Sequence, residues 1–157
     1  MAAKKSEGGE KLICTNRRAF RNYHILDRLE CGIALMGTEV KSLRESGANI
    51  DDAYARVTDG EVWLVNADIP PYSLGHQLNH EPKRKRKLLL HRAEIAKFAA
   101  KATQRGMTLI PLRMYFKRGK AKVELAVARG KHLYDKRQEL KKAEARQEIE
   151  RALRRRR

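Results

Sequence analysis

Cysteine is nearly absent: Cys14 and Cys31 are the two in a chain of 157 residues. That excludes a disulfide framework and a four-cysteine metal site, and it reads as two reduced, partly buried thiols in a cytoplasmic protein. Aromatic residues are scarce too, at 6%. Single-strand binders usually present a row of exposed rings for base stacking. Were the partner a nucleic acid, that scarcity would favour recognition of shape and backbone over reading of splayed-out bases. Long hydrophobic runs are missing: no stretch approaches the roughly 18 apolar residues of a membrane span. The opening MAAKKSEGGE lacks the apolar segment of a secretory signal and reads as a disordered tail over residues 1–10. Acidic residues are also few.

Against 19 Asp and Glu stand 36 Lys and Arg, a formal net charge of +17. A compact body with that much like charge repels itself and calls for a polyanion or charged surface to offset it, nucleic acid and an anionic membrane being the two obvious partners. The apolar fraction, 41%, suffices for one modest core.

Periodicity divides the chain into a folded body, residues 11–129, and a charged extension, residues 130–157. Tyr23 to Glu30 and Gly32 to Gly37 read as neighbouring strands. Thr38 can cap a short helix carrying Val40 and Leu43, which Gly47 closes. Asp52 to Val57 and Glu61 to Ala67 flank Asp59-Gly60, a type I′ hairpin signal. Pro70, Pro71, Gly75 and Pro82 make residues 68–82 an irregular loop. Ile95, Phe98, Ala99 and Ala102 mark a second helix, ended by Gly106. A hairpin follows across Arg118-Gly119, with Thr108, Ile110, Leu112, Met114 and Phe116 on one face, and Pro111 at an edge or bulge. Six short strands with two helices predict a mainly β fold, a small oligonucleotide-binding-like barrel flanked by helices. The extension, residues 131–157, holds 11 Lys or Arg and five Asp or Glu. Its apolar residues are too sparse to dock, so it is expected to be disordered when free and helical in a negatively charged channel, with a solvated tail for solubility as the alternative that composition leaves equally open.

Lys83-Arg84-Lys85-Arg86-Lys87 suits phosphate contact, with a solvated loop as the alternative. Phe98, Trp63 and Phe116 fall on apolar faces as core, which leaves Tyr23, Tyr54 and Tyr115 for contact. His76 and His80 are four apart, yet no general base or third ligand accompanies them. Catalytic signatures are lacking: there is no nucleophile elbow, phosphate loop or dinucleotide fingerprint. Asp51, Asp52 and Asp68 could hold a metal for nuclease chemistry, but adjacent Asp residues are more often turn formers. The reading is of a non-enzyme without metal or cofactor.

Gly37-Thr38-Glu39-Val40-Lys41-Ser42-Leu43-Arg44, preceded by Glu30-Cys31-Gly32-Ile33, resembles the signature of the SsrA-RNA-binding protein (small protein B) family. Further blocks are Asn16-Arg17-Arg18-Ala19, Arg86-Lys87-Leu88-Leu89-Leu90-His91 and Gly130-Lys131-His132-Leu133-Tyr134-Asp135-Lys136-Arg137. They stand in the family's order from Lys11 onward. The resemblance implies a barrel with three helices that binds the tRNA-like domain of transfer-messenger RNA. It also implies a tail that enters the empty messenger channel of a stalled ribosome, among small-subunit ribosomal RNA, and delivery by elongation factor Tu. Carried over, the RNA-facing set is Asn16, Arg18, Tyr23, Glu30, Gly37, Glu39, Lys41 and His91, assisted by Lys87 and Lys122. The tail set is Gly130, Lys131, His132, Tyr134, Asp135, Lys136 and Arg137. Cys31, His91 and His132 depart from the family's commoner Ala, Asn and Lys. A ribosomal or general RNA-chaperone protein would share the charge and tail, and a metal-dependent nuclease is the rival of another class.

Overall fold

The computed structural model describes residues 9–155. The expected N-terminal tail lies outside the described residues up to residue 8, while Glu10 already pairs with Lys117. In chain order the elements are β1 (Glu10–Thr15), α1 (Arg17–Asn22), β2 (Tyr23–Ile33), α2 (Gly37–Glu45), β3 (Tyr54–Thr58), β4 (Glu61–Val65), β5 (Arg86–Leu89), α3 (Arg92–Ala102), β6 (Met107–Lys117), β7 (Lys120–Gly130) and α4 (Leu133–Arg155).

β6 pairs with β7 along one edge, and on the other with β1 at residues 113–117 and β3 at Leu109. β3, β4, β5, β2 and β7 continue the ring back to β6, so six strands close an oligonucleotide-binding-like barrel with β1 added on. Closure removes most of the unpaired strand edges that invite aggregation. Leu43 of α2 and Phe98 of α3 belong to the same core as Cys31, Leu64, Leu88, Met114, Val123 and Leu125, so both helices plug the barrel.

Strand number differs from the sequence reading for local reasons. Residues 23–33 form one strand rather than two, because Gly32 continues the ladder to Lys122 on one side and Leu89 on the other. Gly32 is where β5 arrives, and a Cβ there would stand 3.1 Å from Leu89 Cβ. β1 and β5 are additional: in β1 the apolar Leu12, Ile13 and Cys14 run together without alternating, and in β5 the cations Arg86 and Lys87 mask the alternation. Asp59 and Gly60 both have positive φ, 53° and 74°, as the type I′ hairpin requires. α2 begins at Gly37 with Met36 at the cap, and the Thr38 hydroxyl lies against His80 Nδ1 at 3.0 Å instead.

Pro111 does mark a bulge: the β6–β7 register shifts between Pro111 and Arg113. The bulge also reverses which side chains face inward. Leu109, Met114 and Phe116 join the barrel core, whereas Ile110 and Leu112 pack with Ala19, Ala126 and Ala128 in a second cluster against α1. The single apolar face expected for residues 108–116 is therefore two faces. β6 has no strand partner on this edge between β1 and β3, and Asn16 fills the gap. Its N–H donates to Leu112 O (2.7 Å) and its Nδ2 to Pro111 O (2.9 Å), while its Oδ1 accepts from Ala19 N and caps α1.

Truncating this residue removes a helix cap and leaves a buried carbonyl unpaired. Asn16→Ala should therefore lower the unfolding free energy by about 2 kcal/mol. Urea denaturation checks this: the midpoint should fall with an unchanged slope.

Candidate nucleic-acid interface

Strand alternation decides what the basic run can do. In β5 and the residues before it, Arg84, Arg86 and Leu88 turn inward while Lys83, Lys85 and Leu89 are exposed. Arg86 is wholly buried. Its Nε donates to Glu39 Oε1 (2.8 Å), its Nη1 to the carbonyls of Ala67 (2.8 Å) and Arg84 (3.1 Å), and its Nη2 to those of Pro82 (2.9 Å) and Glu81 (3.4 Å). Arg84 grips both oxygens of Glu39 at 2.7 Å. Lys87 pairs with Glu61 at 2.7 Å. The expectation of five phosphate-binding cations is thus corrected: Lys83 and Lys85 alone of the five make no ion pair among the described residues.

Glu39 is corrected for the same reason. Its exposure is 0%, so it faces the interior and not RNA. Besides the two arginines it accepts the Met36 N–H at 2.8 Å. Burial by itself would raise its carboxyl, but the bonds from Arg84, Met36 and Arg86 outweigh it and hold the group below the ordinary glutamate range. Neighbouring polar groups on α2 do similar work. Ser42 donates to Pro70 O, and His80 bridges Thr38 and the Ile69 carbonyl (2.9 Å). A carbonyl only accepts, so the His80 proton sits on Nε2, leaving Nδ1 to accept from Thr38. Both ring nitrogens are occupied, and His80 is a buried strut. Among the described residues no group of three or more His, Cys, Asp or Glu is placed to hold a metal ion.

Held in this way, α2 forms one wall of an open cleft lined by Gly32, Ile33, Leu35, Val40, Leu89, Phe116, Lys120 and Lys122. Lys41 and Gly37 are exposed on α2, and His91 is exposed at the start of α3 just beyond β5. On the barrel's outer face Leu89, Gly32 and Lys122 lie side by side on β5, β2 and β7. Adjacent strands are about 4.8 Å apart, so these positions span roughly 10 Å. Glu30 sits two residues along β2 from Gly32. Its Oε2 accepts from the Tyr115 hydroxyl and, at 3.4 Å, from Lys117. The Tyr115 bond comes first among the causes that keep Glu30 ionised below its usual range. Tyr115, expected as a contact residue, is only 2% exposed. Trp63, expected in the core, is half-buried on the outer face of β4.

The remaining candidates are elsewhere. Tyr23 pairs with Gly130 at one end of the β2–β7 ladder and Gly32 with Lys122 at the other. Tyr23 and Gly32 are nine positions apart along β2, roughly 30 Å of ladder. Asn16, Arg18 and Tyr23 line a separate polar cleft with Asp51, Asp52 and Tyr54 at the Gly130 end. Asn16 is 2% exposed and acts as a brace, and Arg18 is paired with Asp52 at 2.9 Å. The one body set read from sequence is therefore two surfaces at opposite ends of the barrel.

The tail set begins at the second of these ends. Gly130 completes β7, one residue beyond the expected body. Lys131 N–H donates to Asn22 O (2.8 Å), and its Nζ to Phe20 O (3.0 Å) and to Glu139. Asp135 meets His24 at 3.4 Å, and this contact leads the causes that lower its carboxyl. Gly130, Lys131 and Asp135 thus root the tail on the barrel, while His132, Tyr134 and Arg137 are exposed and Lys136 is half-buried. From there α4 runs 23 residues and buries none.

No helix of the described residues is long and apolar enough to cross a membrane. A closed barrel with a cationic cleft at one end and a basic helix rooted at the other defines an oligonucleotide-binding-like protein with a helical appendage. The model of the SmpB protein family matches residues 13–155, and the chain belongs to that family. Its relatives include the SsrA-binding proteins of Thermobifida fusca (55% identical over 160 residues, 100% of both chains) and Carboxydothermus hydrogenoformans (53% over 145 residues, 92% of this chain and 97% of the relative). Among solved structures, a chain described as "tmRNA-SmpB: a journey to the center of the bacterial ribosome" is similar, with a TM-score of 0.66 and 50% identity. The match covers 76% of this chain and 85% of that one. The family is one of RNA-binding proteins and not of enzymes.

Sequence reasoning missed Arg84, Arg86, His80, Asn16's bracing role and Tyr115. For the arginines the sequence carried no signal: residues 83–87 are all cationic, and their strand-like alternation shows only in burial. Removing one partner from a buried ion pair leaves the other uncompensated. Glu39→Gln should therefore cost about 3–5 kcal/mol, and Lys85→Ala less than about 0.5 kcal/mol. Because the folded Glu39 is held below its unfolded value, its contribution is complete above the ordinary glutamate range and is lost as pH falls beneath it. Urea midpoints measured from acid to neutral pH should show this slope in the parent and a shallower one in Glu39→Gln.

Proposed function

We propose that this protein binds the tRNA-like domain of transfer-messenger RNA with the Gly32–Lys122 end of its barrel and brings it to stalled ribosomes. The observation that carries this reading is the separation of the two surfaces, each with its own cations, by the length of the β2–β7 ladder. A general RNA chaperone needs no such division. The similar solved chain is described with transfer-messenger RNA in the ribosome, which supports the same assignment.

On this reading Lys41, Lys120 and Lys122 take phosphates along the cleft, in the salt-dependent manner of such contacts. His91 and Lys87 extend the surface over β5, and Gly37 lets the RNA backbone come close to α2, where no atom lies within 4 Å of a Cβ position. Glu39 and Arg86 act indirectly, by fixing α2. At the other end α4 enters the empty messenger channel among small-subunit ribosomal RNA. There Tyr134 stacks, and His132, Lys136, Arg137 and the later cations meet phosphates. Elongation factor Tu accompanies the charged RNA, and the setting is the cytoplasm.

α4 has no buried residue, so its propensity and its root hold it in the free protein. Most helical stability in proteins comes from packing an apolar face, and α4 packs none. The tail therefore exchanges between helix and coil when free and settles as helix in the channel, which makes residues 11–129 and 130–157 separate functional units.

Titration against the tRNA-like domain, an elongator tRNA and an unstructured RNA of equal length should give tight, salt-resistant binding to the first alone. Equal affinities that collapse together with salt would support the general chaperone instead. Truncation after Arg129 should spare most RNA affinity and abolish tagging on stalled ribosomes; normal tagging by the truncated protein would remove the tail's role. Amides beyond Arg137 should exchange without protection in the free protein, and strong protection would refute the helix–coil account.

A further inference from the structure

The outer wall formed by β1, β6, β7 and β2 carries a network with an unusual member. Arg28 and Arg113 share Glu124, Arg113 and Lys117 reach Glu10, and Lys117 reaches Glu30. Tyr115 lies among them with its ring beneath the Arg113 guanidinium, 4.6 Å from the centroid. Its position on an outward-facing strand register, opposite Lys122, would suit an exposed residue, yet it is 2% exposed. Its hydroxyl is spent on one bond, to Glu30 Oε2. Lys117 takes the same oxygen. Oε1 has no partner among the described residues, and the Glu30 side chain is 38% exposed. The carboxylate is therefore tied by one oxygen and open at the other, beside the Lys122 cleft.

We propose that Tyr115 is a positioning residue, which holds the Glu30 carboxylate so that Oε1 is presented as a fixed acceptor for an amino or 2′-hydroxyl donor on RNA. This rests on the reading of the Gly32–Lys122 end as the RNA surface. The chemistry follows from charge. A carboxylate repels phosphate and can only accept hydrogen bonds while ionised, so an RNA docked over it must offer a donor at that spot. Exocyclic amino groups and 2′-hydroxyls, which A-form RNA displays in its shallow groove, are such donors. The surrounding lysines attract any polyanion; Glu30 discriminates among those attracted, because an RNA that puts a phosphate there loses affinity. A glutamate held by Lys117 alone could swing with that flexible side chain. One anchored by a buried phenol cannot, and that is what the burial of Tyr115 adds.

A double-mutant cycle on the full-length protein tests this with the tRNA-like domain and the unstructured RNA as probes. Tyr115→Phe keeps the ring and removes only the hydroxyl. It should weaken binding of the tRNA-like domain roughly three- to tenfold, leave the unstructured RNA unaffected, and leave the salt slope unchanged because no phosphate contact is lost. Glu30→Ala should weaken the tRNA-like domain at least as much, and adding Tyr115→Phe to it should cost nothing more. In the free protein, carboxyl carbon NMR should show Glu30 titrating at higher pH in Tyr115→Phe, with Lys117, Lys122, Arg28, Arg113, Glu10 and Glu124 all still in place around it. If Glu30→Ala binds normally, the RNA surface itself has been misplaced. If Glu30→Ala weakens binding but Tyr115→Phe does not, or does so equally without Glu30, Tyr115 is merely structural and the proposal is overturned.

Discussion

The wall of the cleft between α2 and the Gly32–Lys122 end of the barrel hangs on one buried carboxylate. Glu39 has four hydrogen bonds, from two arginines and a backbone N–H, and no contact with water. Arg86 in turn uses all five of its donors on Glu39 and four loop carbonyls. Such a cluster contributes little net stability over a well-packed apolar alternative, because desolvating three charges costs much of what their attraction returns. What it supplies is position. The carbonyls of residues 67, 81, 82 and 84 belong to the two ends of an irregular loop and to the approach to β5, and the carboxylate belongs to the first turn of α2. One guanidinium thereby fastens three segments that share little apolar surface, and one of them is the wall of the cleft.

That arrangement also explains what could be read in the chain beforehand. The barrel class, the Asp59-Gly60 hairpin, the Phe98 helix and the bulge at Pro111 were legible because each depends on local chemistry: apolar spacing, turn residues with positive φ, a missing N–H. β5 was not legible, because its inward residue is Arg86, and a charge at a core position breaks the apolar alternation that announces a strand. α1 was hidden because six residues bury only Ala19, so its stability comes from the Asn16 cap and the β6 gap beneath it. Among candidate site residues, Lys41 and His91 were exposed as expected, and Lys122 is half-buried. Glu39 and Asn16 were recognisable by motif, but a motif does not distinguish a residue that touches RNA from one that holds up its neighbours. That difference lies in burial, which is a property of the tertiary structure.

Charge is not spread evenly over this strongly basic body. The barrel's outer wall is internally neutralised by pairs such as Arg28–Glu124 and Lys117–Glu30. Two cations without an ion-pair partner among the described residues, Lys120 and Lys122, line the cleft at one end, and Lys41 stands next to its Val40 wall with its ammonium over the Tyr72 ring. At the other end the acids of α4 only partly offset its many Lys and Arg. A polyanion therefore meets attraction at both ends and near neutrality between them, which favours two separate engagements over a single smear along the side.

The junction between barrel and appendage has a mechanical consequence. Gly130 is still in the ladder and Leu133 is already helical, so two residues separate strand from helix, and Lys131 is stitched to α1 from both its backbone and its side chain. There is no slack linker here. While α4 is helical it behaves as a lever about 35 Å long with its fulcrum at His24 and Asn22, and a tilt of about 10° at the root sweeps its tip through about 6 Å. With a partner on each end, as proposed above, the orientation of one grip would set the orientation of the other. The protein then transmits angle as well as joining two partners, much as a rigid coupling fixes the relative bearing of two shafts.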